Sequence, residues 1–139
     1  MSISFISQSI EYKPSNIIKY RKWLKKVIGD ERSKLGEIQY NFVNRETIIK
    51  INKDYLNHSY PTDIITFDNS YLNTVSGEIF ICIDVVKKNS YDHSDGVFIK
   101  ELNRVIVHGL LHLLGYTDNT KGTKTVMRNK EDFYLKYLD

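Results

Sequence analysis

His108 and His112 stand four residues apart in the run HGLLHLLGYTD. Positions four apart on a helix share a face, so both imidazoles can reach one metal ion. Gly115 suits the point where such a helix stops, and the turn it permits brings Asp118 back as a third ligand. Three protein ligands with one position left open is the arrangement of a catalytic zinc site. A closed structural site needs a fourth ligand, and the lone cysteine, Cys82, is distant in sequence. The competing reading makes the histidines core or partner-contacting residues, as a lone histidine on an apolar helix usually is. The paired spacing, followed by a helix-stopping glycine and a carboxylate, favours the ion.

The residue after His108 limits the chemistry. HExxH peptidases carry their general base there, whereas this chain has Gly109, which has no side chain to move a proton. Peptidase chemistry is disfavoured, and hydrolysis of a peptide or small ester stays as a third reading. The base must come from another residue, from metal-bound hydroxide or from a substrate phosphate.

These residues need a scaffold. From Val97 to Leu114 the pattern is helical and apolar on most faces, which predicts a central, covered helix. Upstream, residues 2–7 alternate as a strand. Pro14-Ser15 opens a helix to Ile28, with Ser15 as N-cap and Gly29 as stop. Residues 35–43 form a second strand, and Asn44 caps a helix reaching Leu56. Asp63–Asp68 and Glu78–Asp84 read as neighbouring antiparallel strands separated by a polar segment. Asp84 caps a short helix through Lys88, and a last helix covers Thr123–Leu138. This order predicts an α+β fold: a single mixed sheet of about four strands packed with about five helices, zincin-like, with the metal site on the central helix. Residues 1–139 read as one domain without repeats or linkers.

Composition narrows the class. The chain has 139 residues, 41% hydrophobic and 27% charged, which excludes disordered, collagenous and disulfide-scaffold classes. One cysteine allows no intrachain disulfide, consistent with a reducing compartment. The N-terminus lacks the pattern of a secretory signal, and no stretch approaches the ~18 apolar residues of a membrane span. The expectation is a soluble, cytoplasmic protein with no membrane partner and no nicotinamide or nucleotide cofactor. A net charge of +3 permits an anionic partner without requiring one.

HGLLHLLGYTD resembles the signature H-G-x-L-H-L-x-G-Y-D-H of the YbeY family, bacterial endoribonucleases of ribosomal-RNA maturation. INKDYLNHSYPTDIITF, residues 51–67, is similar to the family's L-N-x-x-Y-R-x-x-x-x-P-T-D-V-L-S-F. GEIFIC at Gly77–Cys82 resembles G-D-I-x-I-x, and Met127 with Glu131 resembles a terminal M-x-x-x-E. The resemblance implies a zinc-dependent, single-strand-specific endoribonuclease acting in rRNA maturation at the small-subunit 3′ end and in ribosome quality control. Its partners would be ribosomal RNA and ribosome-associated proteins. His108 and His112 would bind one divalent ion, most simply Zn2+, with the third ligand at Asp118.

Two departures matter. Asp118 stands where the family usually has histidine, which lowers the site's charge by one and makes a bound metal a weaker Lewis acid. A 2-His-1-carboxylate set also admits other divalent metals. Leu56 stands where the family has an arginine suited to a phosphate, and His58 or Lys53 would have to replace it.

Other residues carry weaker signals. Thr62 and Asp63 follow Pro61, where turn chemistry and a place near an RNA cleft are both sound readings. Glu78 and His58 are candidate catalytic residues, Glu78 against the plain alternative of a strand-end carboxylate. KYRKWLKK mixes Lys19, Arg21, Lys22, Lys25 and Lys26 with Tyr20 and Trp23, a stripe able to hold RNA phosphates and stack a base, or simply a solvated helix face. His93 falls in a polar loop. An alternative to the enzyme is a ribosome-associated RNA-binding factor whose metal is structural and whose cleavage is weak or lost; Leu56 favours it.

Overall fold

The computed structural model describes residues 1–8 and 10–138. β-Branched and aromatic residues build four strands: β1 (Ser2–Ser7), β2 (Lys34–Val43), β3 (Ile64–Asp68) and β4 (Thr74–Cys82). They form one sheet in the order β1-β2-β4-β3. β1 with β2 and β2 with β4 run parallel, while β3 runs antiparallel to β4. Five α-helices complete the described chain: α1 (Ile17–Asp30), α2 (Arg45–Leu56), α3 (Ile83–His93), α4 (Phe98–Leu113) and α5 (Lys121–Leu135), with a 3-10 turn at Lys136–Leu138. The mixed α+β architecture is the one expected.

The main core lies between one sheet face and helices α1, α3, α4 and α5. It gathers Trp23, Leu24, Tyr40, Ile79, Leu102, Ile106 and Leu110. A smaller cluster on the other face joins Ile48 of α2 to Val43, Ile65 and Cys82. Buried Tyr40 donates its hydroxyl proton to the Ile106 carbonyl at 2.8 Å, fixing α4 against β2. Close approach of α4 to the sheet depends on two glycines. A Cβ on Gly109 would lie 2.9 Å from Ile64 Cδ1 and 3.0 Å from Ile79 Cγ2. One on Gly77 would lie 2.5 Å from the Phe67 carbonyl oxygen.

Several boundaries differ from expectation, each for a local reason. β4 begins at Thr74, four residues before Glu78, because Thr74 and Val75 pair with Lys34 and Leu35 and Val75 is buried. The polar segment is therefore only a tight link, closed by mutual backbone bonds between Tyr71 and Thr74. α3 extends to His93 because Val86 and Ser90 both face inward; Asp84 lies in its first turn, and Cys82 holds the cap position. α1 starts after Asn16, in the left-handed region, and not after Ser15. Gly29 lies inside α1, and Arg32 at φ 59° takes the left-handed position expected of it. α5 starts at Lys121, where Thr120 and Thr123 form a reciprocal capping box, and ends at Leu135. Asn44 does cap α2, accepting from the Thr47 amide at 2.8 Å, and Gly115 at φ 104° does end α4.

Candidate metal centre

α4 carries His108 and His112 on its last two turns, and the left-handed Gly115 redirects the chain so that Asp118 returns toward them. His108 Nε2 and His112 Nε2 are 2.9 Å apart. Asp118 Oδ2 lies 3.4 Å from the first and 3.6 Å from the second. Around a tetrahedral ion with ligand bonds of ~2.0–2.2 Å, ligand atoms sit about 3.4 Å apart, so the spacing suits zinc. The three ligand atoms lie within 4.8 Å of one another, and Asp118 is partly exposed, leaving one side open.

The donor set points to a cation independently. His112 Nδ1 faces the Tyr116 carbonyl at 3.0 Å, and a carbonyl has no proton to give, so Nδ1 carries the hydrogen and donates it. His108 Nδ1 donates to Glu131 Oε2 at 2.6 Å. With both rings neutral, the two Nε2 lone pairs and the Asp118 carboxylate converge on one point, an arrangement suited to a divalent ion.

Glu131 completes the support. It is buried on α5, and Arg104 donates to both its Oε1 and Asp132 Oδ1 at 2.7 Å each. Burial raises the Glu131 pKa, but His108 and Arg104 outweigh it and hold the carboxyl below its ordinary range. Burial likewise favours neutral His108, yet Glu131, then Asp118 and Asp63, hold the ring above the usual imidazole range. His112 is pushed down by burial and by its neighbour His108.

His108 and Asp118 open onto a cavity of ≈ 290 Å³ that also meets Asp63, Arg104, Lys124 and Arg128. Asp63 is held above the ordinary carboxylate range by burial, partly countered by His108. Thr62 lies beside it and donates to Asp63 Oδ1 at 3.5 Å, without lining the cavity. His93, at the end of α3, is exposed and lines the rim. The other sequence candidates lie elsewhere. Gly77 and Ile79 face α4, so Glu78 between them points from the opposite sheet face. His58 is exposed, with Nδ1 3.0 Å from the Tyr60 hydroxyl. Lys19, Arg21, Lys22, Lys25 and Lys26 are all exposed on α1, and Lys19, Lys22 and Lys26 line a separate groove. The expected stacking partners there are a correction. Trp23 is buried with Nε1 donating to the Tyr134 carbonyl, and Tyr20 is buried with its hydroxyl on Asn103, because both belong to the apolar stripe of α1.

The family model for Endoribonuclease YbeY matches residues 4–139. This chain belongs to the YbeY family. An endoribonuclease YbeY of Cytophaga hutchinsonii is 42% identical over 136 residues, covering 96% of this chain and 94% of that protein. One from Flavobacterium johnsoniae is 42% identical over 122 residues, covering 88% of this chain and 87% of that protein. The solution structure of TM1509 from Thermotoga maritima matches with a TM-score of 0.64 at 25% identity, covering 99% of this chain and 89% of that one. Within the YbeY motif, the terminal Met127 and Glu131 gain a physical meaning: both are buried, and Glu131 is the carboxylate on His108.

Proposed function

We propose that this chain is a zinc-dependent, single-strand-directed endoribonuclease of the cytoplasm, acting on ribosomal RNA at the small-subunit 3′ end and in ribosome quality control. The observation that carries this is the convergence of His108, His112 and Asp118 at an open cavity in a YbeY-family chain. These three residues would hold the ion, which when bound supplies Lewis-acid polarisation of a phosphoryl oxygen and of water. Glu131 fixes the ring of His108, and the Tyr116 carbonyl fixes that of His112. Of the two cavity carboxylates that make no ion pair among the described residues, Glu101 is buried and accepts from the Ser94 hydroxyl, so we assign Asp63 as proton acceptor. Gly109 gives no opening to peptidase chemistry, since a side chain there would point at Ile64 and Ile79 and away from the cavity.

The test is cleavage of a single-stranded RNA by purified protein with and without chelator, beside the variant His108→Ala. Loss of metal and of cleavage together is expected; full cleavage by the metal-free variant would sink the reading. A second reading, a ribosome-associated RNA-binding factor with a structural metal, is favoured by Leu56, which is half-exposed at the end of α2 and offers a phosphate no charge. Ribosome co-sedimentation without chelator-sensitive cleavage is the outcome that selects it.

A further inference from the structure

The metal cavity adjoins a second groove of ≈ 450 Å³ on the outer side of α5, and Lys124 and Arg128 belong to the walls of both. Lys121, at the start of the helix, lines the second groove. These cations recur at three- and four-residue spacing, so they share one face of α5 and span about 10 Å of its axis at ~1.5 Å per residue. All three are exposed, and none makes an ion pair or a side-chain hydrogen bond among the described residues.

Of the three Lys and Arg side chains that line the cavity, Lys124 and Arg128 are uncommitted and Arg104 is not. Arg104 is held by Glu131 and Asp132, and Lys130 by Glu31. On α1, Arg21 donates to the Ile3 carbonyl and Lys26 sits over the Tyr137 ring. The cavity itself carries Asp63, Glu101, Asp118 and Glu131. A polyanion entering such a cavity is repelled by these carboxylates unless uncommitted positive charge lines its approach.

We propose that Lys124 and Arg128, continued by Lys121, form a phosphate track that leads a single-stranded RNA backbone along α5 to the metal cavity. The track rests on the ribonuclease reading for its substrate and replaces α1 as the principal RNA contact. Its contacts are to the backbone, so it binds without regard to base sequence.

The experiment compares wild type with the double variant Lys124→Gln/Arg128→Gln and with the α1 control Lys22→Gln/Lys25→Gln. Binding of a short end-labelled single-stranded RNA to the metal-loaded protein is followed by fluorescence anisotropy across a salt series, in the cold and with the strand checked on a gel to be intact. The α5 variant is expected to bind roughly tenfold more weakly, with a log–log salt slope reduced by about 1.4, ~0.7 for each lost phosphate contact. The α1 control should match wild type. Unchanged binding by the α5 variant, or loss confined to the α1 control, overturns the track. Poly-glutamate competing as well as unlabelled RNA overturns it in favour of an acidic protein surface. Wild type that binds no RNA overturns both the track and the nuclease. RNA binding that depends on α5 without chelator-sensitive cleavage keeps the track and overturns the nuclease alone.

Discussion

Glu131 and Asp118 are both carboxylates near the imidazoles, but their tasks differ. Asp118 would offer an oxygen to an ion, whereas Glu131, buried and pinned by Arg104, orients His108 through Nδ1. Substituting Glu131→Gln keeps the size and removes the charge. Metal affinity should fall about 10–100-fold in a chelator competition assay, as for other groups that orient metal-bound histidines. Equal affinity in the variant would show that the ring is held by packing alone. Substituting Asp118→Ala removes a ligand, so elemental analysis of the purified variant should show metal lost; full metal content would take Asp118 out of the site. The pairing of His108 with His112 was legible because a helix repeats locally and four residues suffice to show it. Glu131 was visible only as part of a motif, since its contact crosses 23 residues and needs α4 and α5 already packed together.

At the scale of elements, α4 is positioned by how closely it can lie on the sheet. Gly77 faces Leu113 Cδ2 at 2.8 Å from a built Cβ and the Phe67 backbone at 2.5 Å. The Leu113 side chain can turn aside, but the Phe67 carbonyl cannot yield without moving β3. Substituting Gly77→Ala should destabilise the fold by about 1–3 kcal/mol, read as a lower denaturant midpoint with unchanged slope. A midpoint equal to wild type would mean that the β3–β4 pair adjusts freely. Periodicity made α4, α2 and the strands readable, because half-buried faces impose their spacing on the sequence. It places Tyr20 correctly on the apolar stripe of α1; the stacking reading came from the lysines beside Tyr20 and Trp23 in sequence, which lie on the opposite, exposed face in space. It could not show that the cations beside the cavity belong to α5, because that depends on how the two helices dock.

At the scale of the whole molecule, Glu31 ties distant parts together. Its carboxylate accepts hydrogen bonds from the Tyr116 hydroxyl at 2.6 Å, from Lys130 at 3.0 Å and from the Tyr134 hydroxyl. Burial raises its pKa, but these donors outweigh burial and hold it below the ordinary range. A carboxyl depressed on folding contributes stability that is present above its unfolded value of ~4.3 and lost as pH falls through the folded value. Acidification from about pH 5 to pH 3 should therefore weaken wild type more steeply than Glu31→Gln, measured by denaturant titrations across that range. Parallel curves would mean that the carboxylate contributes no such linkage.

The place of Glu131 on α5 also gives the site a history. Translation delivers His108 and His112 before the carboxylate that aims one of them, and α5 must then dock across α4 before Glu131 meets Nδ1. If the site holds an ion as proposed, a nascent chain has its histidines before their full support, and firm loading would wait for the last α-helix described. Synthesis and metal capture would then be separated in time by the docking of one helix.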